Sequence, residues 1–210
     1  MATVTTPLRI GPADRGRALT LDEFLDADIE EGYRYELARG VLEVNQVAND
    51  PHRQVVCNLY DSVGHYRRLN PGRILAFGGG SEFQFIIPGL ASGRNPDLAV
   101  VLRGAPKDWR GRRRPFLAAE VVSRGSVARD YVTKREEYLA YGLDEYWIVD
   151  PLERKVTVLT RRGDTWSEAV FRDDQVIASL VLPGFATTVA ELWLDVEENN
   201  DDDGADDDAE

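Results

Sequence analysis

Apolar residues along this chain follow two different spacings, and their alternation predicts a protein of mixed helices and strands. Val55, Val56, Leu59, Tyr60, Val63 and Tyr66 recur at helical intervals, so residues 51–69 are expected to form a helix with one buried face. Pro51 suits its first turn, and Asn70-Pro71-Gly72 stops it. Thr20-Leu21-Asp22-Glu23 has the form of a capping box and opens a short helix carrying Leu21, Phe24 and Leu25. A further helix is expected over 130–141, with Tyr131, Tyr138, Leu139 and Tyr141 among its larger apolar positions and Gly142 as its cap.

Shorter runs read as strands. Residues 33–37 and 41–44 alternate around Ala38-Arg39-Gly40 and predict a β-hairpin. Strands follow at 73–77 and 82–87, with Gly78-Gly79-Gly80 as the turn between them, and again at 145–150, 156–160, 165–171 and 176–180. Residues 189–193 close as a short helix or strand. Strands on both sides of two long helices, with antiparallel hairpins at the ends, place the chain in the α/β (α+β) class around a mixed sheet.

Two other runs, 97–102 and 116–123, are apolar stretches bounded by turn residues, as strands buried on both faces are. Each carries a carboxylate: Asp97 opens the first, and Glu120 sits inside the second. An unpaired buried charge is costly or titrates away, so the pair requires a cation. Oxygen ligands on neighbouring strands suit a hard divalent metal such as Mg²⁺, with Mn²⁺ as a substitute. Two acids can hold such an ion against a phosphate oxygen, where it also lowers the pKa of a water that attacks phosphorus. Lys134 is the candidate to orient that water or to offset charge on the phosphate. Glu36, inside the run Tyr35-Glu36-Leu37, is the candidate auxiliary acid, and Gln84 is a further residue that could face the same cleft.

Each residue also has a plainer reading. Asp97 after Pro96 could serve a turn, Lys134 could be an exposed helix lysine, and Glu36 could pair with Arg34 or Arg39 across the hairpin. His52, at a helix start, is either a surface residue or a site residue.

Charge changes the picture in two places. The net charge is −12, but ten of those excess acids lie between Asp195 and Glu210, where no base occurs. Residues 195–210 are therefore read as a solvated, disordered acidic tail, and residues 1–19 as a flexible arm, leaving one domain over 20–194. Residues 103–114 hold Arg103, Lys107, Arg110, Arg112, Arg113 and Arg114 against the single acid Asp108. Arg112, Arg113 and Arg114 are candidate phosphate-backbone contacts, the alternative being a mobile loop kept soluble by charge. The one cysteine, Cys57, excludes an internal disulfide and a cysteine-rich zinc site, and no stretch is long and apolar enough for a membrane span. A cytoplasmic protein is expected.

The ordered set carries a resemblance. Pro96-Asp97 followed by Glu120-Val121-Val122 resembles the PD-(D/E)xK nuclease superfamily. With Tyr35-Glu36-Leu37 before Gly40, His52 opening a helix, Lys134, Tyr138, Tyr141-Gly142 and Glu145-Tyr146-Trp147-Ile148-Val149-Asp150, it is similar to the bacterial Uma-type restriction endonuclease family over residues 20–193. In one respect the chain departs from the superfamily. Its lysine sits two residues after the glutamate, where this chain has Val122, and Lys134 on the following helix is the replacement. The resemblance implies a restriction-endonuclease-like mixed β-sheet core flanked by helices, and Mg²⁺-dependent cleavage of DNA with the carbonyl of Val121 as a further metal ligand. A homodimer is the expected assembly, since reaching two strands favours paired protomers. The rival expectation is a catalytically silent module of the same fold that binds nucleic acid or a protein partner.

Overall fold

The computed structural model describes residues 7–46 and 50–196, so residues 1–6 of the expected arm and 197–210 of the expected tail lie outside the described residues. The rest of the arm is not loose. Arg9–Ile10 (β1) pairs in parallel with Asp28–Ile29 (β2), Ala18 bridges to Val41, and Ile10 and Leu19 are buried. Between them the capping box forms as its sequence predicts: the Glu23 N–H donates to Thr20 Oγ1 at 3.2 Å and the Thr20 N–H donates to the Glu23 carboxylate at 2.8 Å, starting Leu21–Leu25 (α1).

Apolar cover explains why this segment stays down. Tyr33–Ala38 (β3) and Val41–Gln46 (β4) form the expected hairpin, with Leu37 opposite Leu42 and Glu36 opposite Glu43. Tyr35, Leu37, Leu42 and Val44 pack with Ile10, Leu19 and Phe24. Because successive residues of a strand point to opposite faces, Arg34, Glu36, Glu43 and Asn45 face the other way, towards the functional cavity.

Asp50–Leu69 (α2) follows, then Ile74–Gly78 (β5), Phe85–Ile87 (β6), Ser92–Arg94 (β7), Leu98–Leu102 (β8) and Leu117–Val121 (β9). Lys134–Tyr141 (α3) leads to Glu145–Asp150 (β10), Lys155–Arg162 (β11) and Thr165–Arg172 (β12). The central sheet has the order β12-β11-β10-β9-β8-β5, antiparallel throughout except for the parallel pair β9 and β10. A smaller sheet has the order β4-β3-β7-β6. Val55, Leu59 and Val63 of α2 pack with Leu98, Leu117, Ala119, Trp147 and Val149 on one face of the central sheet. Tyr138 and Leu143 pack with Phe85, Ala118, Val122, Tyr146 and Ile148 on the other.

Several elements differ from expectation. Residues 82–87 are only half a strand, because a 3₁₀ turn over Gly80–Phe83 precedes β6. Residues 176–180 form no strand: Val176 makes a single bridge to Thr188, and Ser179 and Leu180 instead bond to Glu145. The closing segment is a 3₁₀ helix, Ala190–Trp193. The helix expected over 130–141 begins with a π-helical turn, Arg129–Thr133, before it becomes regular at Lys134. Among the described residues no helix is long and apolar enough to cross a membrane.

Candidate active site

Asp97 sits where the chain passes from the small sheet to the central one. Its Oδ2 accepts from the Val121 N–H at 2.9 Å, and its Oδ1 accepts from Arg34 Nη1 at 2.6 Å. His52 Nε2 lies 3.3 Å from the same oxygen, and Tyr60 of α2 donates its hydroxyl to the Asp97 carbonyl at 2.9 Å. Gly79 makes this position possible. A Cβ there would fall 2.3 Å from the Asp97 carbonyl oxygen and 2.8 Å from that of Pro96. Burial would raise the Asp97 pKa, but His52, Arg34 and Lys134 hold it well below the usual carboxylate range.

Glu120 reaches the same space from β9. Its Oε2 is 2.9 Å from Lys134 Nζ, and its Oε1 accepts from the Tyr138 hydroxyl at 2.5 Å. Lys134 Nζ is also 3.5 Å from Asp130 Oδ1 and 3.8 Å from Glu36 Oε1. The π-helical turn holds Asp130 in place, with its backbone carbonyl accepting from Tyr146 OH at 2.9 Å. Burial pushes Glu120 up to about 8; Lys134 opposes this, while Asp97, Asp130 and Glu36 reinforce it. Burial alone would lower Lys134, yet the same acids keep it protonated, above its ordinary value.

Glu36 is set from behind. Its Oε1 accepts from the Asn95 N–H at 2.7 Å, and its Oε2 lies 3.4 Å from Arg94 Nη1. Arg94 is fully buried and bonds Glu137 of α3 through Nε at 2.6 Å and Glu43 through Nη1 at 2.6 Å. This one guanidinium joins β3, β4, β7 and α3 directly beneath the site. Burial raises the Glu36 pKa, but Lys134 and Arg94 outweigh it and leave the group lowered.

The resulting cavity encloses about 460 Å³. Glu36, His52, Asp97, Glu120, Val121 and Lys134 all line it. Arg112, Arg113 and Arg114 do not. Arg113 donates to the Ala105 carbonyl at 2.6 Å, Arg114 pairs with Asp144 at 2.7 Å and donates to the Gly142 carbonyl, and Arg112 lies 3.5 Å from Asp108. Arg112 and Arg113 bond within their own loop, and Arg114 ties it to the turn that follows α3. The arginines at the cavity are instead Arg15, Arg34 and Arg129, and the acid that sequence reasoning missed is Asp130. Two signals were available: Asp130 stands four positions before Lys134, and Arg34 alternates with Glu36 on one strand face. Arg15, in the expected arm, carried none. Gln84 lines a neighbouring cavity instead.

Among the described residues no three acids or histidines form a ready-made metal cage, because protein donors hold the Asp97 and Glu120 oxygens. The donor set nonetheless fits a hard dication that retains several of its waters. It offers carboxylate oxygens from Glu36, Asp97, Glu120 and Asp130, and Asp130 Oδ1 is buried with no hydrogen-bond partner.

A mixed sheet with acids at the start of one strand and the end of its neighbour, faced by a helix lysine, defines a restriction-endonuclease-like protein. The chain belongs to the Uma2 family, whose model, described as "Putative restriction endonuclease", matches residues 21–190. A solved structure described as "a putative nuclease belonging to DUF820 from Anabaena variabilis ATCC 29413" shares the fold, with a TM-score of 0.64 and 20% sequence identity over 83% of this chain and 97% of that one. No curated protein matches the sequence.

Proposed function

We propose that the chain is a metal-dependent endonuclease that hydrolyses DNA phosphodiester bonds. The observation that carries this reading is the gathering of Glu36, Asp97, Glu120 and Asp130 around Lys134 in one open cavity rimmed by arginines. Asp97 and Glu120, with the Val121 carbonyl, are the residues that would hold Mg²⁺ or Mn²⁺. When bound, the ion supplies a water of lowered pKa and positive charge against the phosphate. The protein's own groups do the rest. Lys134, kept charged by its acids, orients the attacking water or stabilises charge developing on a phosphate oxygen. Arg34 and Arg129 stand at the cavity to receive the phosphate backbone, and Glu36 and Asp130 keep Lys134 in place. A homodimer would bring two such cavities to two strands.

Calorimetric titration of the full chain with Mn²⁺, alone and with phosphorothioate DNA in single-stranded and duplex form, tests the reading. Binding that disappears in Asp97→Ala and Glu120→Gln, together with Mg²⁺-dependent cleavage of single-stranded or plasmid DNA by the wild type, supports it. Silence in all of these titrations would turn the assignment to the non-catalytic binding module.

A further inference from the structure

β3 pairs with β7 only at Leu37 and Gly93, because the chain turns away at Asn95-Pro96 to begin β8. The first half of β3 therefore has an open edge on that side, and a second cavity of about 270 Å³ lies there. It shares Arg34 and Asn95 with the acidic cavity, so the two adjoin. One part of its lining is apolar, from Phe24, Leu25 and Ile29, with Tyr33 partly exposed beside them. Another part is polar, from Gln84, Ser81 and Asn95, and Arg110 also lines the cavity.

Asn95 has a fixed orientation there. Its Nδ2 donates to the Tyr35 carbonyl at 2.8 Å, which leaves Oδ1 as a buried acceptor with no hydrogen-bond partner. The Tyr35 hydroxyl is likewise buried without a partner. Buried polar atoms are normally satisfied, and Asn95 and Tyr35, both among the residues lining this cavity, each leave one without a partner. A ligand here must present a flat apolar face, and it must lie next to a group drawn to Lys134 and Arg34. A nucleotide combines these features, with its phosphate in the acidic cavity and its base in the adjoining one.

We propose that this second cavity binds an unstacked nucleobase next to the scissile phosphate, and that the substrate is therefore a single-stranded segment of nucleic acid. The inference rests on the nuclease reading of the acidic cavity and specifies its substrate. A base inside a duplex is stacked on both sides and cannot enter, whereas an unpaired base can lie against Tyr33 and offer its polar edge to Asn95 and Gln84. The basic segment 103–114 then contributes through Arg110, the one of its arginines that lines this cavity.

The test is fluorescence anisotropy of the full chain in Ca²⁺ with a labelled single strand, its abasic counterpart with the same phosphates, and the matching duplex. The intact single strand is expected to bind about tenfold tighter than the abasic strand, the size of one stacked base. Tyr33→Ala and Gln84→Ala should remove that difference and leave abasic binding unchanged. Equal binding of intact and abasic strands would overturn the base subsite while leaving the phosphate reading intact. Tightest binding to the duplex, unaffected by both substitutions, would overturn it as well. Binding to none of the three would overturn the nuclease reading together with the subsite.

Discussion

Glu120 and Glu145 lie on adjacent strands of one sheet, both buried, and the surroundings of the two carboxylates have almost nothing in common. Glu145 points to the α2 side, with Trp147 and Val149. Its oxygens accept from the Trp147 indole N–H at 2.7 Å, the Ser179 hydroxyl at 2.6 Å and the Leu180 N–H at 2.8 Å. Every one of these donors is neutral, and together they pin the C-terminal crossing segment to the sheet. Glu120 points to the α3 side, where it meets one hydroxyl, one lysine and three more acids. A carboxylate satisfied by neutral donors suits a structural role; one crowded by other acids is, on the proposed function, the one that meets a cation from outside the protein. The lesson is that a buried acid marks a site only when its neighbours leave negative charge over.

The sharpest way to break the comparison is to neutralise each acid in turn. Glu120→Gln keeps the shape and should reduce DNA cleavage by about 10²–10³-fold, the scale of losing one group that stabilises developing charge. Glu145→Gln should leave cleavage within a few-fold of wild type in the same assay. Equal losses in both variants would mean that the sheet, and not the acid cluster, sets the activity.

Protonation offers a second contrast. In chelator, the folded protein holds a proton on Glu120 up to about 8, whereas the unfolded chain releases it near the ordinary glutamate value of 4.5. The native state thus binds more protons through that window, and stability falls as pH rises through it, by on the order of a few kcal/mol. Urea denaturation across this pH range should show a slope in the wild type that is reduced in Glu120→Gln. An unchanged slope would show that other groups bear the shared charge.

Stability should respond in the opposite sense at the other acid. Glu145→Ala leaves the Leu180 N–H, the Ser179 hydroxyl and the Trp147 indole without their acceptor, at about 1–3 kcal/mol. The loss should appear in the denaturation midpoint, with Mn²⁺ binding by calorimetry unaltered.

The same two acids show how far the sequence could be read. Asp97, Glu120, Glu36, His52 and Lys134 were legible as candidates and share one cavity. Yet the rule that pointed to Glu120, an acid in a buried apolar run, applies equally to Glu145, whose partners at 179 and 180 are remote in sequence and fell in a segment read as a strand. Asp130 was taken for a helix start because a π-helical turn has no distinct spacing signal in so short a stretch. The hairpin's alternation was correct and Glu36 was a candidate, but its buried partner Arg94, which joins β7 to α3, is remote in sequence and had no local signal. Ile10 and Leu19 lacked any periodicity around them, so their burial depended on a tertiary neighbour that no local pattern reports.

The division between structural and functional charge also runs through the basic segment, where the smallest effects are expected. Arg113 and Arg114 are committed to Ala105, Gly142 and Asp144, and Arg114 lies 5.0 Å from the centre of the Phe116 ring. Gly142 fits this arrangement because it has φ +86° and because a Cβ there would meet Arg114 Nη1 at 3.3 Å. Replacing Arg114 with Ala should therefore cost about 1 kcal/mol of stability, the scale of a partly buried hydrogen bond. The salt dependence of DNA binding should stay as it was, because a side chain already bonded to Gly142 and Asp144 releases no counterions from phosphate. Arg110, whose backbone N–H bonds to Asp108 and whose guanidinium lies over the exposed Trp109 ring, should behave in the reverse manner: Arg110→Ala leaves the denaturation midpoint in place and flattens the salt slope. A flattened slope in Arg114→Ala would return that residue to the nucleic-acid surface and collapse the distinction between the two arginines.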